Sequence, residues 1–364
     1  MNFDFTEEQT MLQDSVRRYV AQHYSFDARQ QIVAQGGFSP SVWANFAELG
    51  LLGLTAPASA GGSEMGMVEA MVVMEALGRG IVLEPLAAMA LFPTQLLTGS
   101  APHAALLAGI ADGSQRVAVA YVEHGARYHL DYCTTKAHQH GDGWTITGQK
   151  GLVSCADTCD AFIVPAVTEQ GMGLFVVQAQ HLGVDVQAYP TQDGGRAGEV
   201  VFSHAPASLL GELGQGLPAL QRGVNTFIAA NCAQAVGCME VLCDMTADYL
   251  NTRKQFASEI GKFQALRHKL VDMRLELELA RGMSWKAAIA MANTSLSDAE
   301  KNAIVSAAKI VSGKAMRVVG QGAVQLHGGI AVTLEYAAGH YFKRLTVLEM
   351  TAGDTQHHLS ELAA

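Results

Sequence analysis

The sequence predicts an α+β chain of three domains: a helical one over 1–115, a β-sandwich or small barrel over 116–211 and a long-helix bundle over 212–364. Three observations carry this. Apolar spacing follows the helical period, switches to alternation near residue 115 and returns to the helical period near 211. The middle block is cut by glycine into short β-branched runs, and the last block holds apolar seams far longer than any strand.

Taken in order, Thr6 and Gln9 have the spacing of a capping box, and Leu12, Val16 and Tyr19 then mark one face of a first helix. A second helix is expected from Trp43 to Leu54, ending near Gly50 and Gly53. The Gly- and Ser-rich loop TAPASAGGSEMG separates it from an apolar helix at Val68 to Leu77, and further helices are expected at Pro85 to Leu97 and Ala104 to Ala111. The runs VAVAYV, WTITG, AFIVPAV, GLFVVQA, VDVQAY and GEVVF read as strands of an antiparallel sandwich or small barrel. After Gly211, Gly214 and Gly216 form a hinge into long helices near 217–250, 262–293 and 298–326, with shorter ones after Gly329.

Composition narrows the function. The chain has 364 residues, 49% of them hydrophobic and 16% charged, which describes a folded protein with large buried faces and not a disordered one. A net charge of −10 argues against nucleic acid, because phosphate binding needs clustered Lys and Arg. No apolar run is expected to span a membrane, and the acidic start MNFDFTEEQ is unlike a signal peptide, so a cytoplasmic protein is expected. The six cysteines lack a C-x-x-C pair, so reduced thiols and no metal site are expected.

The stretch Asn251 to Met273 says most about ligands. Apolar residues at Phe263, Leu266, Leu270, Met273, Leu277 and Ala280 form one helical seam. Ahead of it, Ser258 and Gly261 break the chain, leaving Arg253, Gln255 and Phe256 at one end of a turn and Gln264 at the other. Arginine offers a planar donor fork suited to a pyrophosphate, phenylalanine a flat apolar face, and glutamine a donor and an acceptor for a heterocycle's edge. As an isolated R-x-x-F, the same residues would cap a helix and pack.

With these motifs in order, RKQF and IGKFQ, then QLHGGI, DFTEEQTMLQDSVRRYV and ELGLLGLTAPASAGGSEMG, the chain resembles the acyl-CoA dehydrogenases along nearly its whole length. The resemblance implies an FAD flavoprotein, an oxidoreductase of CH–CH groups in fatty or dicarboxylic acid degradation. It places Arg253, Gln255, Phe256, Gln264, Gln325, Gly328 and Gly329 on the FAD pyrophosphate and adenine, reaching the flavin of a neighbouring subunit. It places Tyr121, Val122, Leu152, Ser154, Asp354 and Gln356 around the remainder of the flavin.

Such enzymes need a carboxylate to take the α proton of an acyl thioester. The position where the family most often has that Glu is Ala352, and the alternative position, about Phe227, with Asn225 and Thr226 beside it, has no carboxylate either. Glu349, one turn earlier, is the substitute candidate, against the simpler expectation of an exposed helical Glu. Val122, Leu152, Ala331 and Asp354 also depart from the family's pattern. Together with the runs at Tyr189 to Gly194, Gly339 to Thr346 and Gly353 to Leu359, this resembles the small subunit of bacterial heteromeric dehydrogenases of the pimeloyl-CoA type. The implied partners are acyl-CoA and either a homo-dimer or tetramer, or a hetero-tetramer with a larger homologue. The alternatives are a non-catalytic structural subunit, or an acyl-CoA flavoprotein with other chemistry. Three structural expectations complete the reading: Glu123 serves the β loop, the histidine of QLHGG bonds backbone, and Arg274, Glu276, Glu278 and Arg281 form a solvated helix face.

Overall fold

A computed structural model describes residues 4–141 and 143–363. The first helices are α1 (Glu7–His23), α2 (Phe26–Ala34), α3 (Pro40–Glu48), α4 (Met67–Arg79), α5 (Phe92–Leu97) and α6 (Ala104–Ala111). The strands β1 (Val117–Val119), β2 (Lys136–His140), β3 (Gly143–Ser154), β4 (Ala161–Thr168), β5 (Gly171–Gln178), β6 (Val184–Pro190) and β7 (Arg196–Leu210) follow. The last block runs α7 (Gly216–Thr252), a hairpin of β8 (Lys254–Gln255) and β9 (Ser258–Glu259), α8 (Gln264–Ala292), α9 (Asp298–His327), α10 (Ala337–Met350) and α11 (Thr355–Ala363). The order of an N-terminal helical, a middle β and a C-terminal helical domain is the expected one.

Packing groups these elements into two compact units. One gathers the chain up to Gln31, Met67–Val82 and Ile228–Ala364; the other gathers Ile32–Gly66 and Leu83–Phe227.

In the first unit, the capping box at Thr6 starts α1: Gln9 N–H donates to Thr6 Oγ1 (3.2 Å) and Thr6 N–H donates to Gln9 Oε1 (3.0 Å). The core is built where α4 meets α7 at nearly bare backbone. A Cβ on Gly78 would lie 2.1 Å from the Gln234 carbonyl oxygen, and one on Gly237 would lie 2.0 Å from that of Glu75, so only glycine fits on either side. Met273, Leu277 and Ala280 of α8 close the core against α7, α9 and α10, while Phe263, at the start of the expected seam, stays 40% exposed.

α7 corrects one expectation. Its apolar stretch is long enough to cross a membrane, with a window of mean hydropathy 1.4, yet 89% of that window is buried inside the protein. It is the core helix of a packed domain.

In the second unit, β4, β2, β3, β7 and β5 close into a ring, because β5 pairs with both β7 and β4; β1 and β6 attach to β4 and β7. β1 and β2 both run parallel to β4, where a purely antiparallel arrangement was expected. Six successive residues of β4 are buried, which is why AFIVPAV reads as a continuous apolar run and not as an alternation. The helix expected from Trp43 to Leu54 is α3, preceded by the unexpected α2, and it starts and ends earlier: Ser39 caps it, Pro40 opens it, and the chain leaves it after Glu48 for a left-handed Gly50.

Candidate functional site

The C-terminal end of α7 delivers the chain into the β8–β9 hairpin. Arg253 N–H donates to Tyr249 O (2.8 Å) and Arg253 O accepts from Ile260 N–H (2.9 Å), so the hairpin is tied to the helix end. Its tip is Phe256 and Ala257, both left-handed (φ 52° and 60°), the backbone of a two-residue hairpin turn usually built from Asn-Gly. Holding two Cβ-bearing residues there costs about 1–2 kcal/mol each, and it leaves the Phe256 ring 88% exposed. Lys254 and Lys262 lie 3.7 Å and 2.7 Å from Glu259, and the Lys262 hydrogen bond holds that carboxyl down to about 2. Arg253 carries no ion pair among the described residues, and the exposed Phe256 ring meets Phe263 edge-on at 6.1 Å.

Four other expected flavin residues of this unit are also open to solvent. Gln264 opens α8, Gln325 lies in the last turn of α9, and Gly328 (φ 67°) ends α9 with Gly329 beside it. A Cβ at Gly328 or Gly329 would meet nothing within 4 Å, so the space above this backbone is open. Behind it, His327 is buried: its Nδ1 lies 2.9 Å from Ala323 O and its ring sits 4.6 Å from Tyr249 and 5.3 Å from Tyr336. This matches the backbone-bonding role expected of it.

The turn from Thr351 to Thr355 carries Ala352, the position where the resemblance places the family's Glu. Ala352 is left-handed (φ 56°), and its carbonyl oxygen lies 3.1 Å from His358 Nε2; His358 Nδ1 contacts Ser306 Oγ at 3.1 Å. Lys309, fully buried in α9, donates to Leu348 O (2.6 Å) and Thr351 O (2.8 Å). Burial lowers its ammonium to about 8. Asp354 Oδ1 accepts from His357 N–H (2.8 Å), so this expected flavin contact caps α11, and Gln356 follows it, exposed.

Glu349 departs from the exposed helical Glu expected of it. It is 7% exposed, and its Oε1 accepts from Arg317 Nε (3.2 Å), Thr355 N–H (3.2 Å) and Thr355 Oγ1 (3.1 Å). A carboxylate so engaged braces the turn, tying the end of α10 to α9 and to the start of α11. The charged residues of α8 also differ from a solvated face. Arg281 donates to buried Glu75 (2.5 Å), Lys314 reaches Glu276 (2.7 Å) and Arg274 pairs with Asp244, so three of the four tie α8 to other helices; only Glu278 remains largely exposed.

In the other unit, Val122 pairs with Gly151, whose N–H donates to Val122 O (2.8 Å), and the Tyr121 ring meets Phe92 edge-on at 5.7 Å. The β3–β7 register slips between Lys150 and Val153, and Leu152 in that bulge is left-handed (φ 54°) and 63% exposed; Ser154 ends the strand half-buried. Asn225, Thr226 and Phe227 are buried, and Phe227 stacks on Phe92 at 5.4 Å.

Glu123 anchors the loop after β1. Its carboxylate accepts from Lys150 Nζ (2.6 Å), Thr134 N–H and Oγ1 (2.7 and 2.5 Å) and Thr135 N–H and Oγ1 (3.1 and 2.7 Å). Burial alone would raise this carboxyl, but the Lys150 and Thr134 hydrogen bonds outweigh it and hold the group well below the carboxylate range. All six cysteines are free, and no group of residues suited to a metal occurs among those described.

Sequence reasoning missed Lys309, Lys150, Arg317 and His358 as supports of these segments. Only the adjacency of His358 to the Gly353–Asp354 turn signalled any of them. His358 also gives a pH dependence. Burial lowers it to about 4 from an unfolded value near 6.5, so the unfolded chain takes up the proton first and stability falls as pH drops from about 6.5 to 4. The loss is about 3 kcal/mol, and His358→Gln should flatten that part of a urea-midpoint versus pH curve.

Comparison with known families finds three domain models along the chain: the acyl-CoA dehydrogenase N-terminal domain over residues 6–102, the middle domain over 118–205 and the C-terminal domain over 214–364. The chain is 30% identical over 355 residues to acyl-CoA dehydrogenase FadE12 of Mycobacterium tuberculosis, covering 92% of this chain and 89% of that protein. It is 25% identical over 370 residues to the caffeyl-CoA reductase-Etf complex subunit CarC of Acetobacterium woodii, covering 97% and 96%. It superposes on a chain of the ChsE4-ChsE5 complex of Mycobacterium tuberculosis with a TM-score of 0.92 at 25% identity, over 100% of this chain and 98% of that one.

Proposed function

The chain belongs to the acyl-CoA dehydrogenase family of oxidoreductases acting on CH–CH groups, and from that premise we propose that it is the small, base-lacking subunit of a heteromeric, FAD-dependent acyl-CoA dehydrogenase. The observation that carries this reading is the pairing of an open flavin-type cradle with a catalytic turn that has no free carboxylate.

The cradle fits FAD. A guanidinium at Arg253, an exposed ring at Phe256 and open backbone at Gly328 and Gly329 suit, in turn, a pyrophosphate, a planar heterocycle and a close-approaching phosphate. Gln255, Gln264 and Gln325 stand exposed for the edge of that heterocycle. FAD, when bound, supplies the acceptor for the hydride lost from the β carbon. Arg253 would then neutralise phosphate charge, and Gly328 and Gly329 would let the phosphate approach the backbone N–H groups.

Taking the α proton is the step this chain's own residues leave unfilled. Ala352 has no proton acceptor, the Phe227 position presents a stacked ring, and Glu349 is committed to Arg317 and Thr355. A partner with its Glu intact would supply the base, and the likeness to a chain of the ChsE4-ChsE5 complex supports such a two-chain arrangement. On α8, Val271, Leu275 and Leu279 form an exposed apolar stripe at four-residue spacing, 55–59% exposed, of the kind a subunit interface covers. We place the assembly in the cytoplasm.

The test is an absorption spectrum of the purified chain, alone and co-purified with a homologue that keeps the Glu, followed by anaerobic addition of acyl-CoA. Flavin absorbance should be lost rapidly only with both chains present; rapid loss with this chain alone would overturn the reading. Arg253→Ala should release flavin about tenfold more readily or worse, since each charge-assisted hydrogen bond to a phosphate is worth about 1.5–3 kcal/mol. Flavin-to-protein stoichiometry after gel filtration measures it.

A further inference from the structure

In the first unit, α1, α4, α7 and α10 line a half-open cavity of about 280 Å³ that none of the flavin or catalytic segments touches. Its floor is apolar and aromatic, formed by Val20, Tyr24, Phe26, Val241 and Tyr341. Two guanidiniums, Arg17 and Arg79, line it as well. They are not equally engaged. Arg79 is paired with Glu240, and Glu75 accepts from Arg281 at 2.5 Å, with Arg281 also 3.6 Å from Glu240. Arg281 thus takes Glu75, Glu240 and Glu278, Arg79 takes Glu240, and Arg17 is the least engaged of the three: its Nη2 comes only within 4.0 Å of Glu75, and its Nε is buried with no hydrogen-bond partner. A buried guanidinium N–H without an acceptor is costly. An anion from outside would satisfy it.

The volume sets the size of that anion. At ~30 Å³ per water-sized group the cavity admits roughly nine such groups, the size of a six- to eight-carbon chain with its head group. The apolar floor suits the chain and the Arg17 edge suits a carboxylate, which matches the planar fork in two hydrogen bonds.

We propose that this cavity is a binding site for a short aliphatic carboxylate, held by Arg17 at its head and by the floor between Tyr24 and Tyr341 along its chain. Such a ligand ties α1 to α4 and α10 and stabilises that packing by mass action. Arg17 contributes charge-assisted hydrogen bonds, so its loss weakens binding about tenfold or more.

Isothermal titration of the 364-residue chain with hexanoate and octanoate tests this, with hexanol and hexylamine as controls of the same shape. The expected result is saturable binding of the carboxylates alone, lost in Arg17→Gln. Ala21→Trp, at an exposed position on the cavity wall, provides a second variant that leaves the buried core intact and should remove the same binding event by filling the space. No saturable binding of carboxylate to the wild type overturns the proposal. So does carboxylate binding that survives both variants unchanged, because the carboxylate would then be bound elsewhere, or equal binding of hexanol, because the guanidinium would then play no part.

Discussion

Lys150→Met should destabilise the β domain by about 3–5 kcal/mol, the cost of leaving a buried carboxylate without its cation. Lys150 is fully buried on β3, and its Nζ lies 2.6 Å from Glu123. Four hydrogen bonds from Thr134 and Thr135 would remain, which keeps the expected loss near the lower figure. Hydrogen exchange of the β2 and β3 amides is the suitable readout, because it reports this domain even where the chain as a whole does not unfold in one step. A second outcome separates a broken ion pair from a lost methylene stem. The double variant Glu123→Leu, Lys150→Met should cost less than the sum of the single changes, since neither charge is then stranded. Acidification follows the same logic: because the Glu123 carboxyl is held below its unfolded value, its contribution is fully present above about pH 4.3 and fades as pH falls beneath it.

The features legible in the sequence are those whose cause is local. The capping box at Thr6, the buried positions Met273, Leu277 and Ala280, and the continuous apolar run of β4 each follow from residues within a few positions of one another. β2 was missed because KAHQH buries only Ala137, which leaves no alternation to read. The sharp turn at Phe256 and Ala257 was illegible for a different reason: neither residue favours left-handed backbone, and the geometry is imposed by the pairing of Lys254 with Glu259 and Gln255 with Ser258. Long-range charge pairs were the hardest. Glu349 reads as an exposed helical Glu until Arg317, 32 residues earlier, is seen to meet it, and the α8 charges read as a surface until Glu75 is found more than 200 residues away. Arg253, Gln255, Phe256, Gln264, Gln325, Gly328 and Gly329 stand out as flavin candidates in the sequence because they cluster in two short motifs. The network that holds the Ala352 turn was not, because Lys309, His358 and Arg317 come from two helices and converge only in the fold.

Ala352→Glu should give this chain a measurable rate of acyl-CoA-dependent flavin bleaching. The turn is already shaped for such a residue. Ala352 sits at φ 56°, a conformation that costs any residue with a Cβ about the same, so Glu adds little backbone strain to what Ala already bears. Its carbonyl stays fixed by His358, and the carbonyls on either side of the helix end stay fixed by Lys309, so the new side chain starts from a rigid base. A positioned general base contributes about 10²–10⁴-fold. Recovery should fall short of that range if, as proposed, Val122, Leu152 and Asp354 lie at the flavin, because Leu152 is an exposed aliphatic chain there. Ala352→Gln serves as the control: it has the same length and no proton acceptor, and should stay as slow as the parent. Stopped-flow absorbance under anaerobic conditions, with the flavin content of each variant matched, measures all three. If the parent chain alone already bleaches its flavin rapidly with a simple acyl-CoA, the base is present elsewhere. Glu349→Gln would then be compared with Arg317→Gln, because removing the arginine frees the same carboxylate that the first change abolishes.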